Sequence, residues 1–371
     1  MALNTIPNKG LTSRGYPSDR LVTPIIINGD MSVAQRATSV TGKTSDGYYT
    51  TDRWNHSINL GTWSIDQATD VPTGQGFAKS HKMTCTTGGS TSAGTQTYFH
   101  TRLEGQNLQM LKKGTSNAES LTLSFFAKSA TTTGTMCVEL FDTDNSRQIS
   151  KQISLTTSWT KYTITYDADT TGTLNNDNGA SLYIIFWVSA GSNFTSGTLS
   201  ETWTSNTNAN RAVGQTNFAV TNTELYFTGV QLEVGEFDST TIPSFPFESF
   251  ESNLRKCQRY YYKETSSSNG ANQWSAVGGI SQANVGRVMM FLPTPMRTIP
   301  TSLGTSGTAG DYKIQNQNTG ETCNAVPTFV SANLDKVQFN LSTAAGMTAG
   351  YYCALRYNAA GVGYLEVDVE L

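Results

Sequence analysis

Residues 121–128 read LTLSFFAK. Leu121, Leu123, Phe125 and Ala127 alternate with Thr122, Ser124 and Lys128, and this period of two gives an extended chain one apolar side. Working outward, Met136, Val138 and Leu140 repeat the alternation ahead of the polar turn Asp142, Thr143, Asp144, Asn145, and Tyr162, Ile164 and Tyr166 repeat it again. Residues 182–188, LYIIFWV, are apolar throughout, which marks a central strand covered on both sides and places Trp187 in the core. The run 225–232 closes the series. Short strands at this frequency, with Gly, Asn and Thr turns between them, specify an all-β fold: an antiparallel β-sandwich of jelly-roll type.

Composition agrees. Of 371 residues, 37% are apolar and only 14% charged, against about 25% charged in an average domain. Thr, Ser, Asn and Gly fill the difference, while 16 Tyr, 16 Phe and 6 Trp supply bulk for a core. The length suggests two domains. A net charge of −3 gives no electrostatic footprint for nucleic acid. No apolar run approaches the roughly 20 residues that span a bilayer, so no membrane insertion is expected. The N-terminus lacks the charged and apolar regions of a secretory signal, which points to assembly in a cytoplasm. Cys85, Cys137, Cys257, Cys323 and Cys353 are scattered and odd in number, and read as buried free thiols.

The chain organises around residues 224–262. A terminal strand is followed by a connector carrying Pro243 and Pro246, then by a short helical pattern over residues 247–259, then by CQRYYY at 257–262, which opens a second β region. Pro293, Pro295 and Pro300 mark an edge or loop there. The expected layout is an N-terminal docking arm at 1–23, a β-sandwich at 24–236, a linker and short helix at 237–259, and a smaller C-terminal β domain at 260–371. One segment departs from the strand pattern: residues 102–113, RLEGQNLQMLKK, have helical spacing and read as a turn or two of helix over a sheet edge.

Several runs, in order, resemble a family of bacteriophage tail-fibre and virion structural proteins, particularly from marine phages: INGDM at 27–31 with DGYYTTDRW at 46–54, then TRLEGQNLQMLKKG at 101–114, LTLSFFAKS at 121–129, NRAVGQTN at 210–217, FTGVQLEVG at 227–235, CQRYYY at 257–262, FLPTPMRTIP at 291–300 and GYLEVDVEL at 363–371. The resemblance covers nearly the whole chain after its first twenty or so residues. It implies a jelly roll similar to a carbohydrate-binding module, a homotrimer, docking to other virion proteins (tail or capsid) through residues 1–23, and attachment to a host-surface glycan or receptor. The expected location is the virion, at the tail fibre. A capsid-decorating or head-fibre protein is the alternative, and a glycan-degrading tailspike enzyme is a third reading.

The inventory of catalytic groups is thin. His56, His81 and His100 are the only histidines and form no metal-ligand spacing, and there is no nucleophile elbow or phosphate loop. Asp142, Asp144 and Asn145 have the residue types of a calcium loop, but Arg147 and Ile153 occupy the positions where that loop needs Gly and Glu, so they read as a hairpin turn. Glu104, Glu139, Asp142 and Glu201 are the carboxylates that would have to converge for glycoside hydrolysis. The expectation is binding without catalysis, with no cofactor and no metal. Trp203 and Trp159 are the candidate residues for stacking against sugar rings.

Overall fold

The structure, a computed structural model, describes residues 24–266, 274–316, 319–344, 346–359 and 361–371. The docking arm expected at 1–23 lies outside them. The chain forms two compact units, the first closing at Ser249 and the second spanning Phe250–Leu371. No helix among the described residues is long and apolar enough to cross a membrane.

The first unit is the expected antiparallel sandwich. One sheet runs in the order β1 (Ser39–Lys43), β4 (Thr62–Ala68), β5 (Ser80–Thr87), β13 (Glu224–Val234), β7 (Leu121–Ser129), β10 (Thr160–Tyr166). The other runs β12 (Thr204–Ser205), β9 (Arg147–Leu155), β8 (Gly134–Asp142), β11 (Ala180–Ala190), β6 (Gln96–Glu104), β3 (Asn55–Ser57), β2 (Gly47–Tyr48). Leu123 and Phe125 from β7 meet Met136, Val138 and Leu140 from β8 and Ile184, Phe186 and Val188 from β11 in one core. Phe186 is central, with Phe125 edge-on at 4.9 Å and Phe227 and Phe99 at 5.3 and 5.9 Å. β11 is the middle strand of its sheet, as its two-sided apolar run requires.

The segments of the INGDM, DRW and FTGVQ runs meet in space. Asn28 donates to the carbonyls of Val33 and Asp52, both at 2.9 Å, and its own carbonyl accepts from Trp54 Nε1 at 3.0 Å. Val230 N–H donates to Gly29 O at 2.9 Å, and a Cβ on residue 29 would collide with the Val230 carbonyl, so only glycine fits.

The turn or two of helix expected within residues 102–113 is present after Gly105, in 3-10 geometry. Arg102 to Glu104 finish strand β6, and two 3-10 turns follow at Gly105–Asn107 and Gln109–Leu111, burying Leu108 and Leu111. Gly105 packs against the backbone at Asn175 so closely that no side chain is accommodated.

Residues 237–249 pack on the first unit: Phe245 and Phe247 each place a ring 5.1 Å from Phe77, and Gln231 Nε2 donates to Pro243 O at 2.9 Å. The second unit begins with the helix Phe250–Gln258, which buries Cys257 and carries Arg255 and Lys256 in its last turn, where the helix dipole favours them. Its larger sheet runs β19 (Thr319–Thr322), β18 (Tyr312–Asn316), β22 (Tyr352–Tyr357), β15 (Trp274–Gln282), β16 (Val285–Phe291), β21 (Lys336–Ser342), β20 (Thr328–Ala332). A smaller sheet joins β14 (Tyr261–Thr265), β23 (Tyr364–Asp368) and β17 (Gly304–Thr305). Val288, Met290, Phe339, Leu355, Leu365 and Val367 form its core. The proline run follows β16 as a loop. All five cysteines are buried and free.

Inside the sandwich, His56 on β3 and His81 on β5 join the two sheets. Thr51 Oγ1 lies 2.7 Å from His81 Nδ1, His81 Nε2 lies 2.9 Å from His56 Nε2, and His56 Nδ1 lies 3.3 Å from Gly47 O. A carbonyl only accepts, so His56 carries its proton on Nδ1, His81 donates from Nε2, and Thr51 donates to His81 Nδ1. Every ring nitrogen is used with both rings neutral. Burial brings His56 down to about 4 and pushes His81 well below the usual value of 6.5, with His56 adding to the effect on His81. The unfolded chain therefore binds more protons than the fold below pH about 6.5. Stability is full above that pH and falls as pH drops towards 4; His56 alone accounts for a loss on the order of 3 kcal/mol, and His81 adds to it. Guanidinium unfolding at pH 7.5 and pH 4 should show this loss, and a profile flat across that interval would be incompatible with neutral buried rings.

Candidate functional site

The outward side of the second sheet carries three rows of side chains, set by strand register. Arg102, Tyr183 and Phe141 form one row; Asn55, His100, Ile185 and Glu139 the next; Ser57, Tyr98 and Trp187 the third. The inward partners of these positions, Phe99, Leu103, Ile184 and Phe186, are all in the core. This face is therefore built by the same alternation that builds the sandwich, read from its other side.

Part of the face is covered. Residues 191–217 cross it between β11 and β13, and Phe194 and Ala212 join Trp187, Ile185 and Cys137 in a separate apolar cluster. Trp187 is thus buried as expected, but beneath this crossing segment and not between the sheets. The segment is clasped by an ion pair: Arg211 Nε and Nη2 donate to the two oxygens of Glu139 at 2.8 and 3.1 Å, and Trp187 Nε1 donates to Glu139 at 2.9 Å. Burial pushes the Glu139 carboxyl up, with Arg211 pulling against it.

The other part is open. Tyr98, Tyr183 and Phe141 are half-buried there, with Arg102 beside them. His100 lies between the tyrosines, parallel to Tyr183 at 5.6 Å and edge-on to Tyr98 at 5.2 Å. The Arg102 guanidinium lies 4.7 Å over the Tyr183 ring, and that of Arg211 lies 4.7 Å over Phe141. An open sheet face with partly exposed aromatic rings and interleaved hydrogen-bonding groups suits a ligand that has both apolar ring faces and polar edges.

The two tryptophans singled out from sequence are not brought together. Trp159 lies on the outward side of the first sheet, where its Nε1 donates to Asp70 at 2.9 Å, Lys128 Nζ is 5.3 Å from its ring and Tyr226 lies 6.1 Å away. Lys128 pairs with Asp70 at 2.6 Å and Lys82 with Glu224 at 2.6 Å, so the charges around it are matched. Trp203 lies beside β12 at the edge of the second sheet, half-buried, with its Nε1 donating to Asp167 O at 2.8 Å and Lys113 Nζ 4.9 Å from its ring. The sequence offered a signal for the open face in QTYFHTRLE at 96–104, where Tyr98, His100 and Arg102 alternate with Phe99 and Leu103.

The acidic groups are also separated by role. Asp142 and Asn145 sit in the β8–β9 hairpin, and Asp142 pairs with the buried Lys113 ammonium. Lys113 Nζ also meets Asp169 at 2.8 Å and the carbonyls of Gly172 and Thr171 at 2.9 and 3.3 Å. Burial would raise Asp169, but hydrogen bonds from Arg147 and Lys113 carry it below the ordinary carboxylate range. The ammonium thus holds the hairpin, the loop before β11 and Trp203 together. Lys113→Met leaves two buried carboxylates short of a cation and should cost about 3–5 kcal/mol, with a shift in Trp203 emission. Thermal denaturation checks the cost; an unchanged midpoint would mean that the ammonium contributes little.

No protein-family model matches this chain, and no curated protein matches it significantly. Among solved structures, a CBM4 structure is 15% identical with a TM-score of 0.30, covering 56% of this chain and 97% of that one. The CBM22-1–CBM22-2 tandem domain of Paenibacillus barcinonensis Xyn10C is 10% identical with a TM-score of 0.29, covering 96% and 98%. The enzymatically active domain of tailspike protein 4 of bacteriophage CBA120 is 10% identical with a TM-score of 0.30, covering 57% of this chain but only 21% of that one. At this level the likeness conveys neither residue correspondence nor ligand.

Proposed function

We propose that this chain is a glycan-binding attachment protein of a bacteriophage virion, of the tail-fibre class, that acts by adhesion and not by bond cleavage. The observation that carries the binding part is the open aromatic patch of the second sheet, where Tyr98, Tyr183 and Phe141, from different rows, present partly exposed rings beside Arg102 and His100. The virion part is supported by the ordered run of sequence motifs, from INGDM to GYLEVDVEL. Sugar rings have apolar faces that stack on aromatic rings and hydroxyls that bond at their edges. Such contacts are weak singly, and a homotrimer raises them through avidity, by about 10²–10⁴-fold when geometry permits. In this reading residues 1–23 dock the protein to the particle.

Host surface polysaccharide immobilised on a sensor should retain the protein and be recovered uncleaved. Tyr98→Ala and Tyr183→Ala should each weaken single-site binding by roughly two- to tenfold without unfolding the sandwich. Equal retention of the parent and the double variant would remove this face from the binding site. Native mass spectrometry should give a trimer, and antibody labelling should mark the tail of the particle; a monomer, or label on the head, would count against the tail-fibre assignment.

A further inference from the structure

One polar atom of the open face is left over. His100 is 1% exposed, and its Nε2 lies 3.1 Å from Arg102 Nε. A guanidinium has no lone pair to offer, so Arg102 donates and His100 Nε2 accepts. The neutral ring then holds its single proton on Nδ1. Burial, followed by the charge of Arg102 and the neighbouring His56, pushes the ring's basicity well below its ordinary value, so one proton is all it carries at neutral pH. Among the described residues, His100 Nδ1 has no hydrogen-bond partner. A buried N–H without an acceptor is unfavourable, and its place between two half-buried tyrosines on the open side of the sheet points to a partner that arrives from outside and parts those rings.

We propose that His100 Nδ1–H is the specificity donor of this face, and that it receives an acceptor-only oxygen of the glycan: the carbonyl of an acetamido sugar or the carboxylate of a uronic acid. This rests on the glycan-binding reading above. The ring is too deeply set to touch a pyranose lying across Tyr98 and Tyr183, so the oxygen must project from the sugar on a short arm, as acetamido and carboxylate groups do. The paired donors His100 and Arg102 favour the same groups. Arg102 adds donors and no acceptor, so a hydroxyl would bring a proton that neither His100 Nδ1–H nor Arg102 can accept, whereas a carbonyl or carboxylate oxygen brings none.

Calorimetric titration of the full chain with a chito-oligosaccharide, an oligogalacturonate and a cello-oligosaccharide separates the possibilities. One of the first two should bind at least tenfold more tightly than the third, and which one it is identifies the oxygen as acyl or carboxylate. His100→Phe should remove that preference while Tyr98 and Tyr183 continue to bind all three weakly. A measurement on the unmodified protein guards against misfolding of the variant: imidazole ¹⁵N NMR should show the Nδ1–H tautomer before ligand and a downfield shift of that proton after it. Equal affinity for all three sugars, or an Nε2–H tautomer, would overturn this proposal and leave the glycan reading standing. Failure of all three sugars and of the host polysaccharide to bind would remove both.

Discussion

A β-strand has two sides, and in the second sheet of the sandwich both are in use. Phe99, Leu103, Ile184 and Phe186 point inward and make the core, while Tyr98, His100, Arg102, Tyr183 and Phe141 ride on the same backbone and point away from it. A one-residue slip in the register of β6 against β11 would exchange the two sets, driving Arg102 and His100 into the core and Phe99 into water. The packing of Phe99 against Trp54, Phe186 and Phe227 therefore fixes where the outward rings stand. Core and outward face are held by one constraint.

Charges are placed with the same economy. Glu139 and Arg211 sit on the outward side, where they tie residues 191–217 across half of the sheet, and Lys113 gathers Asp142, Asp169 and two carbonyls at the sheet's edge. Each replaces solvent with a fixed set of partners, and each joins segments distant in sequence. A buried pair of this kind adds little net stability over apolar packing, but its loss leaves an uncompensated charge, so it specifies arrangement more than it adds stability. The neutral His56–His81 pair does related work between the sheets without a charge at all.

The fold was legible because alternation is a local signal. Residues 121–128 and 182–188 announce their faces without reference to anything else, and the structure places them accordingly. The site was less so. Trp159 and Trp203 are legible in the sequence as residue types suited to sugars; which side chains share an open face depends on the pairing of β6 with β11 and on where residues 191–217 cross, and neither is a local property. Trp187 shows the same gap: its apolar surroundings announced burial correctly and said nothing of which side buried it. The helical spacing after Gly105 was legible and is met by two 3-10 turns, whereas the end of β6 at Glu104 and the close approach of Gly105 to Asn175 are tertiary facts.

β13 is the last strand of the sandwich in the chain, yet it lies in the middle of the first sheet, between β5 and β7. Until residues 224–234 have been made, β5 and β7 each lack the partner that β13 supplies, and the backbone N–H and C=O groups along those edges have nothing in this sheet to pair with. Gly29 and Val230 close the structure only then. Pairings between segments so distant form slowly, and unpaired edges held open in the meantime invite contact with other nascent chains. For this sandwich the hazardous interval is birth: yield in a heterologous host should depend on elongation rate and on the company of chaperones more than on the stability of the finished protein.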